Sequence, residues 1–252
     1  MTKIWTFGDS YIHNYDFANT QYMDIVAKEI NAEHMPHGLN GTSVSYAAHE
    51  FNKCRNHIKH NDIVVIALTN VFRRWYFKDR PKETALYANV SASEKNAIKN
   101  YQLYLNNDLE DAVIAVDFLY NLHYATEQKN LHTIILTCFE DTRNLVLKYK
   151  NDFPMFNISI GTLEIVSFKE CSQHFLKQWL ELSNEAIGES RLNHLIQTNH
   201  YILADKILNN LKTNTPIDLT KDFEYNVIDL TTKNYTEFHK KEFFGNPWMF
   251  GI

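Results

Sequence analysis

Four short stretches of the 252-residue chain carry residue types that do chemistry. The first is Gly8-Asp9-Ser10, directly after the apolar run Ile4-Trp5-Thr6-Phe7. A serine just past a strand can present its hydroxyl at the end of a sheet. The same tripeptide also reads as a turn with a helix cap. The second is Gly38-Leu39-Asn40-Gly41-Thr42-Ser43. A glycine there lets backbone approach a ligand and aims its N–H at developing negative charge. The plainer reading is a loop with Ser43 as N-cap. The third is Thr69-Asn70, after the strongest apolar run, where an amide can donate into a crevice or simply shape a turn. The fourth is Asn193-His194-Leu195, with His200 and Ala204 further on. A single histidine is more often structural than reactive. Four such features, in order and on one expected sheet edge, are much rarer by chance than any one of them.

A serine hydroxyl is a weak nucleophile at neutral pH and needs an adjacent base. A histidine supplies one, and returns the proton to the leaving alcohol. Rival chemistries lack their patterns: there is no G-x-S-x-G elbow, P-loop, G-x-G-x-x-G or H-E-x-x-H. His34/His37 and His57/His60 have metal-like spacing, but the sequence places no acid or cysteine beside them. Neither a metal nor a cofactor is expected. Cys54, Cys138 and Cys171 are widely spaced and read as buried, reduced thiols.

The elements that must position these residues alternate. Residues 3–7 and 133–138 read as strands. So does 62–68, a continuous β-branched run suited to burial on both faces of a parallel sheet. Another strand is expected over 162–168. Residues 20–31, with Thr20 as a candidate cap, and residues 43–59, 105–129, 169–184 and 195–211 read as helices. Residues 69–99 read as loop with some helix. This order implies βαβ units and an α/β fold with a central parallel sheet between helix layers. Ligands in such sheets lie beyond the carboxyl ends of the strands. The last forty residues lack a period, hold a strand-like run at 226–230 and end in an aromatic stretch, Phe243 to Phe250.

Composition narrows the partners. Hydrophobic residues make up 44% and charged ones 22%, with a net charge of -5, so a folded core is expected rather than disorder. Lys and Arg number 25 against 30 Asp and Glu, which disfavours nucleic acid as a partner. No apolar run approaches the roughly 18 residues of a membrane span, so no membrane is expected. The opening residues lack a charged-then-apolar layout. Cytoplasmic synthesis without a cleaved signal peptide is therefore the expectation.

At Ser10, Gly41, Asn70 and His194 the chain resembles the SGNH hydrolases, or GDSL-type esterases. The late block N-H-L-x-x-x-x-H-x-x-L-A is similar to the family's D-x-x-H-L-x-x-x-G-H-x-x-L-A. The resemblance covers about residues 3 to 210 and implies a three-layer α/β/α, flavodoxin-like sandwich. It implies an SGNH-like domain over 1–212, with 213–252 left as an extension packed on that domain or on a partner subunit. It implies a Ser10 nucleophile, a His194 base and an oxyanion hole made by Ser10, Gly41 and Asn70. Two positions depart from the family. Arg191 stands where the orienting Asp is usual, leaving Glu189 as a substitute acid or a Ser–His dyad. The third block keeps Asn70 but not its usual Gly and Asp. Asp9, Arg73 and Arg74 are the candidate substrate contacts; in family terms the basic and aromatic stretch 71–78 that holds the two arginines borders the active-site mouth, and it reads equally as a loop packed over the sheet or a surface for a partner chain.

The implied activity is hydrolysis of a small ester or of O-acetyl groups on a glycan. The Asn-rich chain and degenerate blocks also look like SGNH proteins of bacteriophages, which would make the protein virion-associated, with phage particle proteins or a second copy of itself as partners; an ordinary cytoplasmic bacterial esterase is the competing context. The alternative is an inactive carbohydrate-binding or virion structural module on the same fold.

Overall fold

A computed structural model describes residues 1–12, 21–39, 42–73, 107–163, 195 and 197–223, with isolated positions at 93, 96, 97, 100 and 104. Five strands of these residues form one sheet: β1 (Lys3–Gly8), β2 (Glu33–Gly38), β3 (Ile63–Leu68), β4 (His132–Thr137) and β5 (Phe156–Ile158). Their order is β2-β1-β3-β4-β5 and every pairing is parallel. The α/β architecture and flavodoxin-like order expected from the sequence are therefore present.

Alternation along each strand sends side chains to opposite faces. Trp5 and Phe7 join Val64, Ile66 and Leu68 on one face. There they meet α2 (Val44–Cys54), α3 (Asp108–Lys129) and Val146 of α4 (Glu140–Lys148). Ile4, Val65 and Ala67 face the other way, against α1 (Tyr22–Glu29) and α5 (Gln197–Thr213). Two apolar clusters on one sheet make the three layers. β3 is buried at all six positions, as its unbroken apolar run requires.

The helices start and stop for local reasons. Ser43 Oγ accepts from the Tyr46 N–H at the start of α2, and Asn107 Oδ1 accepts from the Leu109 N–H at the start of α3. Asn130 ends α3 in the left-handed region, φ 49°. Asp108, Glu110 and Asp111 in the first turn and Lys129 in the last complement the α3 dipole.

Two strands differ from expectation. β2, Glu-His-Met-Pro-His-Gly, has no apolar run: among the described residues it lies at the sheet edge and pairs with β1 alone, a position that tolerates Pro36. The other edge among the described residues is β5, at Phe156–Ile158; of the strand expected over 162–168, Leu163 is helical and residues 164–168 lie outside the described residues. After α5, Ile217, Leu219 and Phe223 join the α1/α5 core, so that core reaches past residue 213. Helix 169–184 and the run at 226–230 also lie outside the described residues. Among the described residues no helix is long and apolar enough to cross a membrane.

Candidate active site

The carboxyl ends of β1 to β4 are level: Gly8 pairs with Gly38 and with Ala67, and Leu68 pairs with Thr137. β1 has β2 on one side and β3 on the other, so the connections diverge there. A parallel sheet opens its crevice at such a reversal, and both Ser10 and Asn70 follow these strands.

Ser10 sits in a tight turn. The Ile12 N–H donates to Asp9 O at 3.0 Å and the Tyr11 N–H donates to Asp9 Oδ1 at 3.1 Å. Two glycines let this turn lie close to its neighbours. A Cβ on Gly8, whose φ is +157°, would sit 2.6 Å from Ala67 O. A Cβ on Gly38 would sit 2.8 Å from Ile12 Cβ and 2.9 Å from Asp9 O. Ser10 is 8% exposed, and its Oγ makes no hydrogen bond to a described residue.

Asp9 is fully buried. Its Oδ2 accepts from Thr69 Oγ1 at 2.6 Å and from the Arg73 guanidinium at 2.9 Å. The same Arg73 nitrogen donates to Thr69 Oγ1 at 3.1 Å, and the guanidinium carbon lies 4.8 Å from the Phe139 ring centroid. Contact between Asp9 and a substrate would require this cluster to open. Arg73 is turned into the cluster, with its side chain 16% exposed.

Asn70 lies on a turn held from several sides. Its Oδ1 accepts from the Phe72 N–H at 2.8 Å and its carbonyl accepts from the Arg73 N–H at 3.3 Å. The Val71 N–H donates to Asp141 Oδ2 at 2.9 Å, and Thr142 Oγ1 donates to Thr69 O at 2.7 Å. Both partners belong to the first turn of α4. With Oδ1 occupied, the amide NH2 is the group left to donate, and it bonds no described residue.

Leu39 and Thr42, either side of residues 40–41, are both tied to Gly8. The Leu39 N–H donates to Gly8 O at 3.4 Å and Thr42 Oγ1 at 3.3 Å. Gly41, Arg74, Glu189, Arg191 and His194 lie outside the described residues. Within the same late block, Leu195 is buried in the α1/α5 core and His200 is a core histidine. The His200 ring stacks on Tyr22 at 5.9 Å, and its Nδ1 accepts from the Tyr22 N–H at 3.4 Å. Burial, then Cys138 and Asp9, push the Tyr22 phenol well above its ordinary pKa, so it stays neutral.

The sequence singles out Thr69 only as the neighbour of Asn70, and does not point to Phe139, Asp141 and Thr142, which pack on or bond the same cluster. Thr69 precedes the candidate Asn70, and the other three follow β4 at the same sheet edge. Inspecting every residue just past a strand end would have found them. The paired histidines resolve differently. His34 Nδ1 contacts Asp24 at 2.7 Å and its Nε2 contacts Thr6 Oγ1 at 2.9 Å, while His37 meets Glu50 and Cys54. Among the described residues no group of three or more His, Cys, Asp or Glu is arranged to hold a metal ion.

No protein-family model matches the chain, and no curated protein matches it. Solved structures do. One is a carbohydrate esterase whose active site is described as displaying divergent catalytic and non-catalytic binding functions. It is 12% identical, over 86% of this chain and 70% of that one, with a TM-score of 0.48. An acetyl xylan esterase from the rumen bacterium Butyrivibrio proteoclasticus is 14% identical, over 84% of this chain and 64% of that one, with a TM-score of 0.46. A member of the lipolytic G-D-S-L family from Veillonella parvula is 14% identical, over 84% and 98%, with a TM-score of 0.42. At these values no residue inherits a role from the comparison; roles have to come from the chain's own chemistry.

Proposed function

We propose that the protein is a serine ester hydrolase of the SGNH type, with Ser10 as nucleophile and His194 as general base. The observation that carries this reading is the 2.6 Å hydrogen bond between Thr69 and Asp9. It joins the residues immediately before Asn70 and Ser10, which supports a reading in which the Ser10 hydroxyl and the Asn70 amide act on one substrate.

In this reading His194 accepts the Ser10 proton as Oγ attacks the ester carbonyl carbon. The carbonyl π electrons move onto oxygen. The Ser10 N–H, the Gly41 N–H and the Asn70 amide hold that oxyanion. Collapse breaks the ester C–O bond, and His194 returns the proton to the leaving alcohol. Water then attacks the acyl-serine by the same route and releases the carboxylic acid. Gly41, His194 and Glu189 as orienting acid enter on the resemblance of their sequence blocks. The substrate class we propose is an O-acetylated carbohydrate, on the same resemblance.

The test is hydrolysis of p-nitrophenyl acetate and of acetylated xylan, beside Ser10→Ala prepared identically. Activity lost in the variant supports the reading. Equal rates in the two proteins, or none in either, would sink it, and glycan binding without turnover would then be measured by calorimetry.

A further inference from the structure

The geometry points to Arg73 as a positioning residue: its guanidinium supplies the counter-charge that lets buried Asp9 lock the Ser10 turn to the Asn70 turn. The inference rests on the esterase reading and adds to it a part that touches no substrate.

A carboxylate without exposure is costly unless it is paired and hydrogen-bonded. Asp9 has no exposure, and its carboxylate accepts from the Tyr11 N–H, Thr69 Oγ1 and the Arg73 guanidinium, all in one small cluster. Among the described residues Arg73 is the one cation that forms an ion pair with it. One Arg73 nitrogen bonds both Asp9 Oδ2 and Thr69 Oγ1, and Thr69 donates to that same Oδ2. The three side chains close a ring of polar contacts. The Phe139 ring lies against the guanidinium, which keeps the planar group in place.

Arg73 also belongs to the element it fixes. Its own N–H donates to Asn70 O at 3.3 Å, closing the turn that presents the Asn70 amide. Its side chain then reaches back to Asp9, the residue preceding Ser10. The spacing of nucleophile and oxyanion donor is thereby set by a side-chain ion pair, beyond what the backbone ladder imposes. This is a different job from the substrate contact that the basic stretch implied. The two differ in what they change: a substrate contact acts on binding, a positioning residue acts on the reacting geometry.

The experiment compares the full chain with Arg73→Met, Arg73→Lys and the pair Asp9→Asn/Arg73→Met. Each is assayed for kcat and KM on p-nitrophenyl acetate, for labelling of Ser10 by a fluorophosphonate, and for thermal unfolding. Misplacing reacting groups by about 1 Å can cost about 10²-fold. The expected result is a fall in kcat of about that size in Arg73→Met, with KM within about threefold. Arg73→Lys should recover most of the loss. The double variant should exceed Arg73→Met about tenfold, because a neutral amide at position 9 needs no counter-charge. If Arg73→Met does not fold, the double variant is expected to fold and to turn over. A raised KM with unchanged kcat in Arg73→Met overturns the inference, as does a double variant no better than the single. No turnover and no Ser10 labelling in the unaltered protein overturns the esterase reading and this inference with it. Turnover in the unaltered protein with an unaffected Arg73→Met overturns the positioning role alone.

Discussion

Thr69 Oγ1 donates to Asp9 Oδ2 at 2.6 Å, across sixty residues of sequence. Both side chains are buried, and each directly precedes a residue proposed to act on substrate. β1 and β3 are neighbours in the sheet, so their ends are already close. The hydrogen bond converts that closeness into a fixed relation between two turns. Asn70 is then held by its own Oδ1, which accepts from the Phe72 N–H.

Asn70→Ala removes that donor while Ser10 keeps its turn. The expected loss in kcat is about 10²–10³, the usual cost of one oxyanion donor. The lost bond to Phe72 should lower stability by only about 1 kcal/mol. Steady-state kinetics on p-nitrophenyl acetate with a parallel thermal melt separates the two effects. Unchanged kcat would remove Asn70 from the oxyanion hole.

Gly38→Ala should damage the site without touching any proposed catalytic group. The added Cβ would meet Ile12 Cβ at 2.8 Å and Asp9 O at 2.9 Å, both in the Ser10 turn. Neither is the far end of a flexible side chain, so the turn itself must move. Overpacking of this kind costs about 1–3 kcal/mol. Urea unfolding should register that loss, and kcat should fall more than the folded fraction does.

The legible parts of this molecule were those where residue type and position agree. β3 and β4 show as apolar runs because both faces are covered. Ser10 and Asn70 show because each follows such a run. β2 did not, since an edge strand that carries two histidines and Pro36 looks polar. β5 did not, because three residues are too few for a period. The joining of Asp9 to Thr69 and Arg73 was illegible for another reason. A carboxylate in a G-D-S tripeptide and an arginine in a basic, aromatic stretch each read as surface chemistry. Only the parallel register of β1 and β3 makes them partners.

A second hydroxyl, imidazole and carboxylate stand in line at Thr6, His34 and Asp24, at 2.9 and 2.7 Å. Thr6 is fully buried within β1, so no substrate reaches its hydroxyl. The array instead ties α1 and edge strand β2 to the centre of the sheet. Thr6→Val should therefore keep kcat within about twofold. His34→Leu would leave the Thr6 hydroxyl without its partner and should cost about 1–3 kcal/mol in urea unfolding. Esterase activity lost in Thr6→Val but kept in Ser10→Ala would reverse the assignment of the nucleophile.

His37 should make stability fall on mild acidification. Its ring stacks against Trp5 and Phe7 at 5.8 and 5.2 Å, with Cys54 Sγ 3.4 Å from Nε2 and Glu50 Oε2 3.5 Å from Nδ1. Burial lowers its pKa from 6.5; Glu50 pulls the other way and is outweighed, while Lys53 and His34 add to the lowering. The unfolded chain therefore binds a proton near pH 6.5 that the folded chain refuses until lower pH. Stability from this group is present above the ordinary histidine value, declines as pH falls through it, and stops declining below the lowered folded value. His37→Phe keeps an aromatic ring against Trp5 and Phe7 and cannot titrate. Between about pH 7.5 and about pH 5.5 its melting temperature should drop less than that of the unaltered protein, whose other titrating groups are shared. Parallel melts at the two pH values decide it: equal drops would mean that His37 takes up its proton alike in the folded and unfolded chain.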